Sequence, residues 1–242
     1  MSTYSQHSFS EKIALITDGT TPIGRAVAMQ LALLGCYVIV GVSETDENEK
    51  NAIEELRSLG TLANAVETDF SSVSGMKILV GEVEKQYGRL DLLVNCLKYR
   101  ANSEFQNTSE EIFSTVIDRN LKSTFFLTRE AIRLMEPRPK PKIVNILSMC
   151  DSAETAKDTT FVLVNKSLIG LTESLSSSLP AKFRVNAVSV SENEKLGRDG
   201  ENLDKDLFRA KKGIDEDDVA RTILYLLSKE SIGVNGQVLR VE

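Results

Sequence analysis

Two stretches of this chain carry residue types whose spacing could do chemistry. The first is Thr17-Asp-Gly-Thr-Thr-Pro-Ile-Gly24, set between a short apolar run and a helical pattern. Such a loop opens on a helix N-terminus, where backbone N–H groups and the helix dipole attract a phosphate. Thr20, Thr21 and Arg25 add two hydroxyls and a guanidinium that could hold one. Asp18 works against them: at ~5 Å and an effective dielectric of about 20, two like charges repel by roughly 3 kcal/mol. Pro22 suits the first residue of a helix but brings no N–H. The second stretch is Ile143-Val-Asn-Ile-Leu-Ser148, an apolar run that ends on a hydroxyl. A serine needs a base beside it to act as a nucleophile. The single histidine, His7, lies in the polar N-terminal segment, so the chain has no His-based triad and no His-rich metal site. Tyr99, just after another apolar run, is the tyrosine closest to the expected site and the candidate proton donor.

Elements must bring these residues together. Runs rich in Val, Ile and Leu predict strands over Lys12–Thr17, Tyr37–Val42, Ala63–Asp69, Leu90–Cys96, Lys142–Ser148, Arg184–Val190 and Gln237–Val241. Most are continuous rather than alternating, as in strands buried on both faces. Amphipathic patterns predict helices over Ile23–Leu34, Glu47–Ser58, Ser72–Tyr87, Glu110–Met135, Phe161–Leu179 and Asp215–Ser228. Glu136-Pro-Arg-Pro-Lys-Pro141 stops the longest of them. Strictly alternating strands and helices predict an α/β chain: one Rossmann-type doubly wound parallel sheet of about seven strands with helices on both faces. Residues 1–10 are expected as a polar tail and 11–242 as a single domain. Ser191–Lys212 is polar and poorly periodic, and is expected as a mobile loop following a strand whose end faces the site.

Composition narrows the functions. Hydrophobic residues make up 41% and charged residues 26%, ordinary for a water-soluble globular chain. A net charge of −6 argues against nucleic acid and anionic membranes as partners. No apolar run is long enough to span a bilayer. Cys36, Cys96 and Cys150 each lie in or beside an apolar run, an odd count that fits reduced, buried thiols in a cytoplasm.

The order of these pieces resembles the short-chain dehydrogenase/reductase family, closest in pattern to the 3-oxoacyl-[acyl carrier protein] reductases. The resemblance covers nearly all of residues 11–241. In that family the first loop reads Thr-Gly-x-x-x-Gly-Ile-Gly and takes the cofactor's pyrophosphate. Ile23 and Gly24 match its end, while Asp18 and Pro22 replace its first two glycines. Asp69-Phe70 match an Asp-hydrophobe pair that lies against the adenine. Asn95-Cys-Leu-Lys98 stands for Asn-Asn-Ala-Gly, so Asn95 is kept while Leu97 and Lys98 enlarge a place usually kept small. NAD-preferring members carry an acid near the end of the second strand. Val42-Ser43 offers none there, so with Arg25 the resemblance implies NADP(H), if any cofactor. Ser148 matches the substrate-orienting serine. Asn120 matches the asparagine that bends its helix and supports the proton-relay water. The family then has Tyr-x-x-x-Lys, where the tyrosine passes the proton and the lysine lowers its pKa. Here that segment is Phe161-Val-Leu-Val-Asn165. Phe161 has no proton to give and Asn165 has no charge to lend. Lys166 lies one residue late, about 100° around the helix.

Three functions follow from the resemblance and its departures. The first is a catalytically inactive relative acting as a homo-oligomer or beside an active paralogue. Family members associate through the fourth and fifth helices and the last strand, and Phe113, Val116, Ile117, Phe125, Phe126, Leu163, Leu168 and Leu171 supply apolar faces there. The second is a divergent NADP(H)-dependent reductase of a carbonyl such as a 3-oxoacyl thioester, with Tyr99, a water or a substrate group as acid. The third is a non-catalytic sensor of a nucleotide or other small molecule.

Overall fold

The computed structural model describes residues 9–43, 54, 55, 58, 63–149, 157–191 and 215–241. Strands β1 (Ile13–Thr17), β2 (Tyr37–Val42), β3 (Ala63–Glu67), β4 (Leu92–Asn95), β5 (Lys142–Met149), β6 (Arg184–Ser191) and β7 (Val238–Val241) form one sheet in the order β3-β2-β1-β4-β5-β6-β7. Every pair is parallel. The order reverses between β1 and β4, which opens a crevice beyond the C-terminal ends of the strands. The Thr17–Gly24 loop, Asn95–Arg100 and Ser148 all lie at those ends.

Among the described residues, helices α1 (Pro22–Leu33), α2 (Val73–Tyr87), α3 (Glu110–Val116), α4 (Ser123–Met135), α5 (Thr159–Ser178) and α6 (Glu216–Leu227) cover the sheet. Consecutive strand residues feed opposite layers. Ala14 and Ile16 of β1 pack into the core under α1 and α6, while Ile13 and Leu15 pack into the one under α2 and α4. A third cluster joins Val116, Leu147, Val164, Leu168 and Ala187 beneath α3 and α5. Phe9, inside the expected tail, is fully buried in the first layer, and its N–H donates to Leu34 O. Phe9 is thus held at the C-terminal end of α1 and the start of β1, so packing begins before residue 11.

The expected Glu110–Met135 helix is three pieces, because Ile117–Lys122 forms a π turn between α3 and α4. The cause is Asn120, whose Nδ2 donates to Val116 O at 2.7 Å and perturbs the regular backbone ladder. The expected helix Glu47–Ser58 and the expected loop Ser191–Lys212 lie largely outside the described residues, as does Cys150. Cys36 and Cys96 are buried free thiols, and burial pushes the Cys36 thiol up to about 12.

Two polar centres hold the N-terminal end of the sheet. Asp91, just before β4, accepts from Ile13 N at 3.0 Å and from Arg138 Nε at 2.6 Å. Lys142, 2% exposed at the head of β5, donates to Ser231 Oγ at 2.9 Å and Leu226 O at 3.2 Å, and also to Ser228 O. It thereby satisfies carbonyls at the end of α6. Burial pushes its ammonium down to about 8.

Candidate active site

The phosphate-type loop keeps its shape by internal means. Asp18 takes a left-handed conformation, φ 50°, which aspartate tolerates better than most residues. Thr21 caps α1: its Oγ1 accepts from Gly24 N at 3.3 Å and donates to Asp18 O at 2.8 Å. Pro22 occupies the first helical turn. A Cβ on Gly24 would lie 2.6 Å from Asp18 O, and one on Gly19 would lie 1.8 Å from Val40 Cγ1. Both glycines are therefore required by the packing of the loop on itself and on β2. Arg25 turns away and ion-pairs with Glu55. Thr20 and Ile23 are half-buried. The loop thus carries an acidic residue at Asp18, no N–H at Pro22, the Gly24 N–H already engaged and Arg25 paired with Glu55. These residues do not fit a pyrophosphate.

Asp69 and Phe70 follow β3. Asp69 is exposed and accepts from Ser71 N at 2.9 Å and Ser71 Oγ at 2.5 Å. Hydrogen bonds from Ser71 and Ser72 hold its carboxyl below the usual range. Phe70 is core, beneath Gly41 and beside Leu79. Ser43 is half-buried just beyond β2. Asn95 is 2% exposed, and its amide serves the core: Nδ2 donates to Asn145 Oδ1 at 2.8 Å and to Thr128 Oγ1 at 3.2 Å. It ties β4 to β5 and α4. Leu97 is buried.

Ser148, Phe161 and Asn165 lie together and are joined by hydrogen bonds through one side-chain amide. Asn165 is 6% exposed. Its Oδ1 accepts from Ser148 N at 2.8 Å, and its Nδ2 donates to Phe161 O at 2.9 Å. One amide therefore fastens α5 to the end of β5. Phe161 is 2% exposed. Lys166 is exposed and does not join them. Asn120 is also fully used: Oδ1 accepts from Tyr99 N at 2.7 Å, while Nδ2 donates to Tyr99 O at 2.9 Å and to Val116 O. The ring of Tyr99 lies against the Arg119 guanidinium, 4.5 Å from centroid to Cζ.

The sequence reading missed Asp158, Arg100 and Asn102. Asp158, 2% exposed, caps α5 by accepting from Phe161 N at 3.1 Å. Its other oxygen accepts from Asn102 N at 3.1 Å and lies 3.6 Å from Arg100 Nε. Asn102 has φ 51°, a left-handed conformation that asparagine tolerates. The Arg100 guanidinium lies over the Phe161 ring, 5.6 Å from its centroid. An aspartate directly before a helical run is a cap signal that could have singled out Asp158. Nothing local marks its two long-range partners. Residues 99–102 are thus tied to the π turn on one side and to α5 on the other. Among the described residues no group of three His, Cys, Asp or Glu could hold a metal, and no helix is long and apolar enough to cross a membrane.

Comparison with known proteins places this arrangement among oxidoreductases. Residues 19–242 match the family model described as enoyl-(acyl carrier protein) reductase. The chain is 29% identical over 237 residues to the 3-oxoacyl-[acyl-carrier-protein] reductase FabG of Staphylococcus aureus, covering 95% of this chain and 96% of that one. It is 31% identical over 175 residues to a 3beta-hydroxysteroid dehydrogenase of Mediterraneibacter gnavus, covering 72% of this chain and 63% of that one. Among solved structures, a single-substitution variant of actinorhodin polyketide ketoreductase with NADPH superposes with a TM-score of 0.83 at 24% identity, covering 95% of each chain. A Serratia marcescens short-chain dehydrogenase/reductase mutant gives 0.85 at 21% identity, covering 97% of this chain and 98% of that one.

Proposed function

This chain belongs to the short-chain dehydrogenase/reductase family, and from that premise we propose that it is a catalytically inactive member acting as a partner-binding or oligomeric subunit. The observation that carries the reading is the Asn165 amide. A lysine in that place would hold a charge near the proton donor. Asn165 instead spends both polar atoms on Ser148 N and Phe161 O. Phe161 offers no proton, and Tyr99 presents its ring to Arg119. General acid catalysis contributes about 10²–10⁴-fold, and the absence of a titratable donor at Phe161 and Asn165 supports its loss.

What remains for such a chain is a surface. Phe113 and Leu163, on α3 and α5, are 43% and 47% exposed, and Phe125 on α4 is 47% exposed. Val116 and Leu168 are core, so the face is narrower than the apolar pattern implies. Family members are commonly oligomeric, and these rings suit either a second copy or an active paralogue.

The test is a turnover assay with NADPH or NADH over 3-oxoacyl thioesters, diketones and hydroxysteroids. The unaltered protein is expected to show none. Phe161→Tyr with Asn165→Lys should restore the donor pair, and adding Asp18→Gly and Pro22→Gly should help by restoring cofactor binding. Robust turnover by the unaltered chain, lost in Tyr99→Phe, would establish a divergent reductase instead.

A further inference from the structure

On the face of the sheet that α2, α3, α4 and α5 cover, the core is not continuous. A large cluster holds Leu79, Leu93, Leu127, Ile143 and Val185, and a small one holds Val116, Leu147, Val164, Leu168 and Ala187. Polar residues stand between them. Along β5 the order is Ile143, Asn145, Leu147, and along α5 it is Leu175, Thr172, Leu168. Asn145 Nδ2 donates to Thr172 Oγ1 at 2.9 Å, and Thr172 Oγ1 donates on to Leu168 O at 2.8 Å. Asn145 Oδ1 accepts from Asn95 Nδ2 at 2.8 Å, and the same Nδ2 reaches Thr128 Oγ1 of α4 at 3.2 Å. Asn95, Thr128, Asn145 and Thr172 are each at most 2% exposed. This seam interrupts apolar contact between the clusters.

The small cluster has fastenings of its own. Asn120 holds Tyr99 N, Asp158 holds Asn102 N and Phe161 N, and Asn165 holds Ser148 N. Tyr99, Ala101, Ile117 and Leu121 pack against the same cluster. These side chains therefore tie residues 99–102, the π turn, the start of α5 and the end of β5 to one another.

We propose that this end of the molecule is a separate cooperative unit. Residues 99–102, α3, the π turn and α5 as far as Leu168 open and close together, while the frame built on the large cluster stays folded. Opening up to the seam gives up only a small apolar cluster. Going past it also strands the buried amides of Asn95 and Asn145, so the opening stops there. Phe113 and Leu163 stand on α3 and α5, so contact made on those side chains bears on this unit and not on the frame.

Native-state hydrogen exchange of the full-length protein tests this. The N–H groups of Tyr99, Asn102, Ser148 and Phe161 report the unit. Those of Ile13 and Lys142, which donate to Asp91 Oδ2 and Asp91 O, report the frame. The first four should share one protection, about tenfold or more below that of the frame pair. Leu79→Ala, which leaves a cavity in the large cluster, should lower the frame pair by about thirtyfold or more. The four should keep their protection, because the core around residue 79 stays packed when the unit alone opens. In Leu168→Ala both sets should fall by the same factor, because both openings break the small cluster. One protection common to both sets, unrelated protections among the four, or an equal fall of both sets in Leu79→Ala would overturn the proposal. Should Leu79→Ala fail to fold, the urea dependence of exchange in the unaltered protein decides. A shallow slope for the four and a steep one for the frame pair is expected, and equal slopes would overturn it. The measurement needs neither cofactor nor turnover, so its outcome is independent of the proposed loss of catalysis.

Discussion

Asp91 and Asp158 sit at opposite ends of the sheet and do the same work. Each is a buried carboxylate that accepts from backbone N–H and faces an arginine Nε. At the N-terminal end this is ordinary architecture, since Asp91 joins β1 to the segment after α4 and nothing there calls for chemistry. At the C-terminal end a family member would keep polar atoms free for cofactor and substrate. Here Asp158, Asn165 and Asn120 are all turned inward onto backbone groups. The two ends have become alike. On the inactive reading proposed above, these polar groups serve the fold, where leaving one unsatisfied costs about 1–3 kcal/mol.

The likeness can be broken at either end. The largest effect is expected for Asp91→Ala, which strands Ile13 N and leaves Arg138 unpaired; urea unfolding should show a loss of about 3 kcal/mol. Asp158→Ala removes the α5 cap and the hold on Asn102 N, and should lose about 2–3 kcal/mol. It should also speed hydrogen exchange at Asn102, which Asp91→Ala should not. A neutral Asp158→Ala would mean that the C-terminal end is not structural in the way Asp91's end is.

Lys142 gives a smaller effect with a definite sign. Its folded value is pushed down to about 8 from 10.5. Below pH 8 it is charged in both states, and the cost of burying that charge is fully present. Between these two values the unfolded chain holds the proton longer, so stability rises with pH by up to ~1.4 kcal/mol per unit. Unfolding free energies of the unaltered protein minus those of Lys142→Met, measured from pH 7 to 10, should show this upward slope. A flat or falling difference would refute it.

The frame was legible because buried parallel strands announce themselves as continuous runs of Val, Ile and Leu. Tyr37–Val42 matches to the residue, and the other strands differ by one or two positions at their ends. Local patterns could not show contacts between distant residues. The bend at Ile117–Lys122 shows in the sequence only through the resemblance that marks Asn120 as a helix-bending residue, and its hold on Tyr99, 21 residues away, does not show at all. Lys142 read as the polar head of a strand, because Ser228 and Ser231 lie 86 and 89 residues later. At the catalytic positions the sequence revealed the loss of tyrosine and lysine. It did not reveal the gain, since an asparagine in a helix gives no sign that its amide reaches the end of a strand 17 residues earlier.

That gain is the central claim, and Asn165→Lys alone tests it most directly. In a chain whose site still waited for its lysine, the family residue would be neutral or stabilising. In this one it removes the acceptor of Ser148 N and the donor to Phe161 O. Equilibrium unfolding of Asn165→Lys should show a loss of about 2 kcal/mol, the cost of two backbone groups left without that amide. A variant as stable as the unaltered protein would contradict the account.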